Sequence, residues 1–345
     1  MKEIIDILNK LQKGYDEKKP ENATVLVNEI FSKRHNLLAL GTGTYEICLD
    51  KDAVTEIMRS DWDGGWGDFK MDIENAEIET DGDVAWFLAN ATVRYTFENK
   101  QENYDSYVGF IKQHAENQNT TPKQRIAFIN WILSLRFHNR ADGLREYFWP
   151  TKLSGFLAKE DGVWKLDNLH FSIDKSNFPD ERFENTTEDY KGLYNKTREK
   201  IKAYNGEVKT DTKLIEALKE LEIELKNDKE LGGINFDKEQ IVVSNAERFT
   251  WIMAMATIKQ TISEDEIMNK SLKELDEVLN SNLSSQEKVF LSQKSVSYAL
   301  SEIASGTEFT WPIRLTAVLE KGENSYKFRH KHFSYPFDWI IEGKL

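Results

Sequence analysis

Two histidines recur in one setting, as His170-Phe171-Ser172 near the middle of the chain and His332-Phe333-Ser334 near its end. Imidazole titrates near neutral pH, so a histidine among aromatic side chains can give or take a proton in a reaction. His170 is therefore the candidate catalytic acid–base group, and His332 is the equivalent position in the second half. The same residue type also serves as a buried post that holds a backbone carbonyl or a contact between sheets, and its repetition agrees with that role. Period-two alternation sets His170 on one face of its strand with Trp164, Leu166 and Asn168. His330 and His332 share a strand face and could begin a metal site. No third ligand accompanies them, and Lys327, Arg329 and Lys331 on the opposite face read as a solvated edge. No metal and no cofactor is expected.

Other motifs exclude more than they suggest. The run from Asp61 to Asp68 has carboxylates, but glycine comes too early for a calcium loop and the closing Glu is missing. It reads as a helix stop and a turn. There is no HExxH, P-loop, dinucleotide glycine pattern or G-x-S-x-G elbow. Cys48, the only cysteine, excludes an internal disulfide and a cysteine-held metal cluster. Trp62, Trp66, Trp86 and Trp149 have the area and the directed N–H to line an apolar pocket. Trp86 and Trp149 return at matching positions of the second half, which suits core packing equally well.

These residues must be positioned by more than one core. The chain has 345 residues, comfortable for two domains, with 39% hydrophobic and 30% charged residues as in folded soluble proteins. A net charge of −13 repels phosphate backbones and anionic lipid, so neither nucleic acid nor a membrane is expected as a partner. No run approaches the roughly 20 apolar residues of a membrane span. At the start of the chain Ile4, Ile7, Leu8 and Leu11 fall at helical spacing between charges, unlike a secretory signal, so a cytoplasmic location is expected.

The strongest pattern is internal repetition. Trp86, Ala89, Ala91 and Thr92 recur 165 positions later as Trp251, Ala254, Ala256 and Thr257. A second block recurs at 162: Trp149-Pro150-x-Lys152-Leu153 returns as Trp311-Pro312-x-Arg314-Leu315, and the two histidine triplets follow. Within each half the periodicity predicts helices first, near 3–17, 22–34 and 51–62 in the first half and near 189–204 and 212–228 in the second. A long strand over 84–97 follows, apolar on both faces, then a helix near 121–139. Strands 147–159 and 163–172 are joined by Asp161-Gly162, a hairpin signal. Helices segregated from an antiparallel sheet define an α+β class.

Leu40-Gly-Thr-Gly-Thr-Tyr-Glu46, Asp61-Trp62, Trp66-Gly67-Asp68, Gly82-Asp83-Val84-Ala85-Trp86, Gly155-Phe-Leu157, Asp161-Gly162-Val-Trp164-Lys165 and His170-Phe171-Ser172 together resemble the SnoaL-like domain of the nuclear-transport-factor-like, cystatin-like superfamily. The resemblance covers most of 1–175 and reaches the second half through the repeat. It implies two tandem cone-shaped domains, each a strongly curved antiparallel sheet wrapped around N-terminal helices, with a pocket at the open end. The expected division is a complete domain over 1–176, a linker over 177–188, and a truncated second domain over 189–345. On the elements that surround the family's pocket lie the polar residues Tyr45, Glu46, Asp61, Asn90 and Arg94, for which a solvated or interface position is the competing reading; Tyr45, Glu46, Asn90 and Arg94 join Trp62, Trp66 and Trp149 as candidate ligand contacts. The family includes isomerases, polyketide cyclases and dehydratases as well as modules without chemistry, so the fold alone does not choose among them. The leading expectation is a binding or assembly module for a small apolar organic ligand, self-associating or forming an internal pseudo-dimer. The alternative is an enzyme of the isomerase, cyclase or dehydratase type with His170 as its acid–base group.

Overall fold

The computed structural model describes residues 2–33, 38–43, 46–63, 69–98, 101–119, 140–141, 144–173, 183–184, 211–261, 263–283, 285–305 and 308–336, with 125–126, 129–130, 199 and 201 between them. Helix α1 (Lys2–Glu17) buries Ile4, Ile7, Leu8, Leu11 and Tyr15, a stripe at helical spacing. Helix α2 (Ala23–Ile30) buries Ala23, Val27 and Ile30. It is shorter than the expected 22–34 because Phe31 turns extended at φ −94°, ψ 150°, and the Ser32 N–H then donates to the Leu166 carbonyl. Helix α3 (Lys51–Asp63) presents Val54, Thr55, Met58 and Trp62 inward.

The strands of this half are β1 (Leu38–Leu40), β2 (Ile47–Cys48), β3 (Phe69–Met71), β4 (Glu77–Asp81), β5 (Val84–Glu98), β6 (Arg140–Ala141), β7 (Leu144–Glu160) and β8 (Val163–Ile173), with helix α4 (Gln101–Glu116) after β5. They form one curved sheet in the order β2-β1-β8-β7-β5-β3, with β4 also paired to β5 and β6 to β7. The sheet is antiparallel except that β1 runs parallel to β8, a departure from the purely antiparallel sheet expected. Asp161 (φ 52°) and Gly162 (φ 80°) make the β7–β8 turn, both left-handed as a type I′ hairpin requires.

The second half contributes β9 (Phe183–Glu184), α5 (Thr212–Glu224), β10 (Asn235–Asn245), β11 (Phe249–Thr261), α6 (Glu264–Leu279), α7 (Ser285–Ser305), β12 (Glu308–Lys321) and β13 (Tyr326–Ser334). The Asp211 carboxylate caps α5 by accepting from the Lys213 N–H, and Ser263 with Glu266 forms a capping box on α6. The second sheet runs β10-β11-β12-β13, with β9 on β12. Most of the expected linker lies outside the described residues. Phe183 and Glu184 within it pair with Thr310 and Phe309, so this stretch adds a strand to the second sheet. The helices expected near 121–139 and 189–204 likewise fall almost wholly outside the described residues.

Strand register runs alike in the two sheets. Trp86 pairs with Phe156, Ala89 with Leu153 and Thr92 with Pro150. In the other sheet Trp251 pairs with Val318, Ala254 with Leu315 and Thr257 with Pro312. Ser154 pairs with His170, and Thr316 with His332. Each last strand also carries a bulge. One residue, Asp167, has no partner between the pairs Phe156–Asn168 and Leu157–Leu166; the same holds for Arg329 between Val318–His330 and Leu319–Phe328. A bulge inserts one residue and reverses which face the following side chains take. Trp164 and Leu166 therefore pack inside the first half with Leu169, whereas His170 faces the second sheet. This corrects the strict alternation that placed His170 beside Trp164 and Leu166.

The two-sided apolar character of β5 now has its cause. Phe87, Ala89, Ala91 and Val93 join the helices in the first core. Trp86 points the other way, into a cluster that joins Leu38, Leu40 and Phe156 of the first half to Phe249, Trp251, Met253 and Val318 of the second. The Trp86 and Phe249 ring centroids lie 5.1 Å apart, and those of Phe156 and Trp251 6.3 Å apart. Burying each such side chain contributes roughly 1.5–3 kcal/mol. A separate cluster fills the second half beneath Leu214, Leu218 and Leu221 of α5. No described helix is long and apolar enough to cross a membrane.

Candidate functional site

Inside the first half, α1 and α3 stop short of filling the concave side of the sheet and leave a cavity of about 160 Å³. Phe31, Met58, Phe69, Val93, Leu169 and Phe171 give it an apolar wall, and Tyr15, Thr42, Glu46, Asp61 and Thr151 bring polar groups to it. For scale, a dry apolar cavity of about 150 Å³ holds one benzene.

Tyr15 is the pivot of the polar side. Its hydroxyl donates to Asp61 Oδ2 at 3.2 Å. Its ring meets Trp62 edge-on at 5.8 Å and lies 5.4 Å from Phe69 and 6.2 Å from Phe171. Burial first, then the charge and hydrogen bond of Asp61, with a smaller contribution from Glu46, hold the phenol well above its ordinary pKa. At neutral pH Tyr15 is thus a donor committed to Asp61, and its oxygen can still accept from a ligand. The Thr151 hydroxyl is buried on the cavity wall and has no hydrogen-bond partner among the described residues, the kind of group a bound polar atom would satisfy.

The Gly41-Thr42-Gly43 turn wraps the Glu46 side chain. The Gly43 N–H donates to Glu46 Oε2 at 2.7 Å, and the Gly41 N–H donates to the Glu46 carbonyl at 2.9 Å. A Cβ at Gly41 would stand 2.0 Å from Glu46 Oε2, so glycine is required there by close approach. From the second half, Arg314 on β12 reaches this turn. Its Nη2 donates to the Gly41 carbonyl at 2.9 Å and its Nη1 to that of Gly43 at 3.3 Å. Burial lowers the guanidinium pKa to about 10, against the opposing pull of Glu46, so Arg314 remains charged at neutral pH.

The two histidines lie elsewhere, between the sheets. Their rings stack with centroids 3.9 Å apart at 25°. His170 Nδ1 is 2.8 Å from Thr316 Oγ1 and its Nε2 is 2.8 Å from Ser334 Oγ. His332 mirrors this, with Nδ1 2.7 Å from Ser154 Oγ and Nε2 2.7 Å from Ser172 Oγ. Each ring is thus held by two hydroxyls of the opposite sheet. Burial dominates both titrations: His170 is pushed well below its ordinary value, with His332 and Arg314 adding repulsion, and His332 falls to about 3. Both rings are neutral at pH 7.

Of the residues singled out by sequence, Glu46 and Asp61 line the cavity, and His170 and His332 do not. Trp62 is buried behind Tyr15 and is not part of the lining. Asn90 is exposed on β5, and its carbonyl accepts from the Asp72 N–H. Arg94 and Trp149 belong to β5 and β7, paired with Phe148 and Val93 respectively, but their side chains lie outside the described residues, as do Tyr45 and Trp66. Sequence reasoning missed Tyr15, Thr42, Thr151 and Arg314. Tyr15 continues the stripe of Leu8 and Leu11, and Arg314 replaces the repeat-related Lys152, which is exposed. Among the described residues no group of three His, Cys, Asp or Glu side chains is placed to hold a metal ion.

Residues 26–110, which take in the end of α2, the Gly41-Thr42-Gly43 turn, α3 and β5, match the SnoaL-like domain. Among solved structures, a nuclear transport factor 2-like superfamily protein from Salmonella enterica is similar at 11% identity over 53% of this chain and 96% of that one, TM-score 0.33. A cystatin-like-fold protein of unknown function from Nostoc punctiforme aligns at 13% identity over 50% and 90%, TM-score 0.30. The hexachlorocyclohexane dehydrochlorinase LinA-type3 of Novosphingobium barchaimii aligns at 12% over 50% and 84%, TM-score 0.30. No curated protein matches the chain.

Proposed function

We propose that the chain is a tandem of two SnoaL-like units joined sheet to sheet as an internal pseudo-dimer, and that its first unit binds a small, largely apolar molecule. The cavity carries the binding half of this reading: it has room for about one ring, an apolar wall, and a polar side at Tyr15, Asp61, Glu46 and Thr151. The ligand class that fits is a single-ring molecule with a hydroxyl, whose hydrogen would meet a carboxylate and whose oxygen would meet Thr151. The tandem half is supported by the shared strand register, the repeated bulge and the exchanged histidine contacts. Acid–base chemistry by His170 is not supported, because the ring has Thr316 and Ser334 before it rather than the cavity.

The test uses phenol, benzyl alcohol and cyclohexanol as probes, followed by ligand-observed NMR and thermal shift. At least one should bind the native protein, and Ile57→Trp, which places an indole at the half-buried rim of the cavity, should abolish the signal. Failure of all three probes to bind, or binding untouched by Ile57→Trp, would refute the cavity as a ligand site.

A further inference from the structure

We infer that Arg314, supplied by the second unit, is a positioning residue for the first unit's cavity, so that the polar wall of that cavity is complete only when the two units are docked. The inference rests on the cavity reading above and adds what assembles the site. A buried guanidinium needs acceptors or a countercharge. Arg314, with no exposed surface, finds three backbone carbonyls of one turn, those of Gly41, Gly43 and, at 3.5 Å, Thr42. That turn lines the cavity through Gly41 and Thr42 and cradles Glu46, which lines it too. Within the first unit the turn is held by its own bonds to Glu46 and by short strands, β1 and β2 sharing two residue pairs among the described residues, Ala39–Cys48 and Leu40–Ile47; Arg314 is the contact that ties it to the second unit. Five donors in a planar fork suit arginine to gather several carbonyls at once, which a lysine ammonium does less well.

The repeat shows that this is a specialised contact. The sequence equivalent of Arg314 is Lys152, which is exposed, and the second unit has no Gly-Thr-Gly turn for it to meet. The histidine contacts are exchanged evenly between the units, while the arginine contact runs one way only, from the second unit to the first unit's cavity. The second unit is thus the supporting partner and the first the binding one.

Hydrogen exchange on the full chain tests this without any ligand. In Arg314→Gln, and less strongly in Arg314→Lys, exchange in the peptide covering 38–49 should accelerate at least ten-fold, with peptides covering 84–98, 163–173 and 308–321 within two-fold of native. Equal acceleration of all four peptides would reduce Arg314 to a general interface residue and overturn the inference, as would no change in 38–49. Should Arg314→Gln fail to fold, Arg314→Lys carries the same two outcomes. In parallel, whichever probe alcohol binds the native protein should bind Arg314→Lys at least five-fold more weakly; unchanged binding counts against the inference. If no probe binds the native protein, the cavity reading fails while the exchange result still decides the role of Arg314.

Discussion

Lowering the pH should loosen the contact between the sheets, by an amount set by its two histidines. In the unfolded chain each ring takes a proton near its ordinary 6.5, whereas in the folded chain His332 resists protonation down to about 3 and His170 is depressed in the same direction. The unfolded state therefore binds more protons across this range, and stability, full above the ordinary histidine pKa, declines as the pH falls through it. For His332 the loss between pH 6.5 and 5.0 is about 1.5 pH units at about 1.36 kcal/mol per unit, or about 2 kcal/mol. His170, depressed in the same direction by burial, adds to this loss, and about 2 kcal/mol is already a large fraction of a typical domain's stability. Urea denaturation followed by tryptophan fluorescence at pH 7.0 and 5.0 measures this. His332→Asn keeps a side chain able to donate and accept but removes one titration. It should lower stability at pH 7.0 and shrink the pH-dependent loss by about 2 kcal/mol. An identical pH dependence in native protein and variant would refute the reasoning.

Three further perturbations probe the packing and the cavity. Trp251→Ala removes a fully buried ring from the cluster between the sheets and should cost about 3–5 kcal/mol by urea denaturation. Gly155→Ala would set a Cβ 2.4 Å from the Phe87 ring and 2.8 Å from the Asn168 carbonyl, so a loss of about 1–3 kcal/mol is expected in the same assay. Tyr15→Phe removes the donor to Asp61; it should cost about 1.5–3 kcal/mol and weaken binding of the probe alcohols in NMR titrations.

The sequence made the elements legible where local chemistry decides them. The Val54, Met58 and Trp62 stripe marks α3, Asp161-Gly162 marks the hairpin, and the doubly apolar run from Val84 foretells two packing partners. It misplaced His170 because a bulge at Asp167 has no residue signature: nothing in Asp167 itself announces that alternation reverses there. The cavity was legible only in part for a related reason. Tyr15 reads as one more apolar position of an amphipathic helix, and its bond to Asp61 joins residues 46 positions apart. Arg314 contacts Gly41 across 273 positions, a distance at which spacing says nothing. The one available hint was that Lys152 and Arg314 occupy matching places in the repeat, a basic residue beside a buried leucine in each.

The proposed tandem stands or falls on His170 and His332 meeting face to face between the two sheets. In protein labelled only at histidine, the ring protons of His170 and His332, assigned with His170→Asn and His332→Asn, should give a mutual nuclear Overhauser cross-peak at pH 7, and neither ring should titrate at the ordinary histidine value near 6.5. A missing cross-peak, together with a midpoint near 6.5 for either ring, would contradict the account.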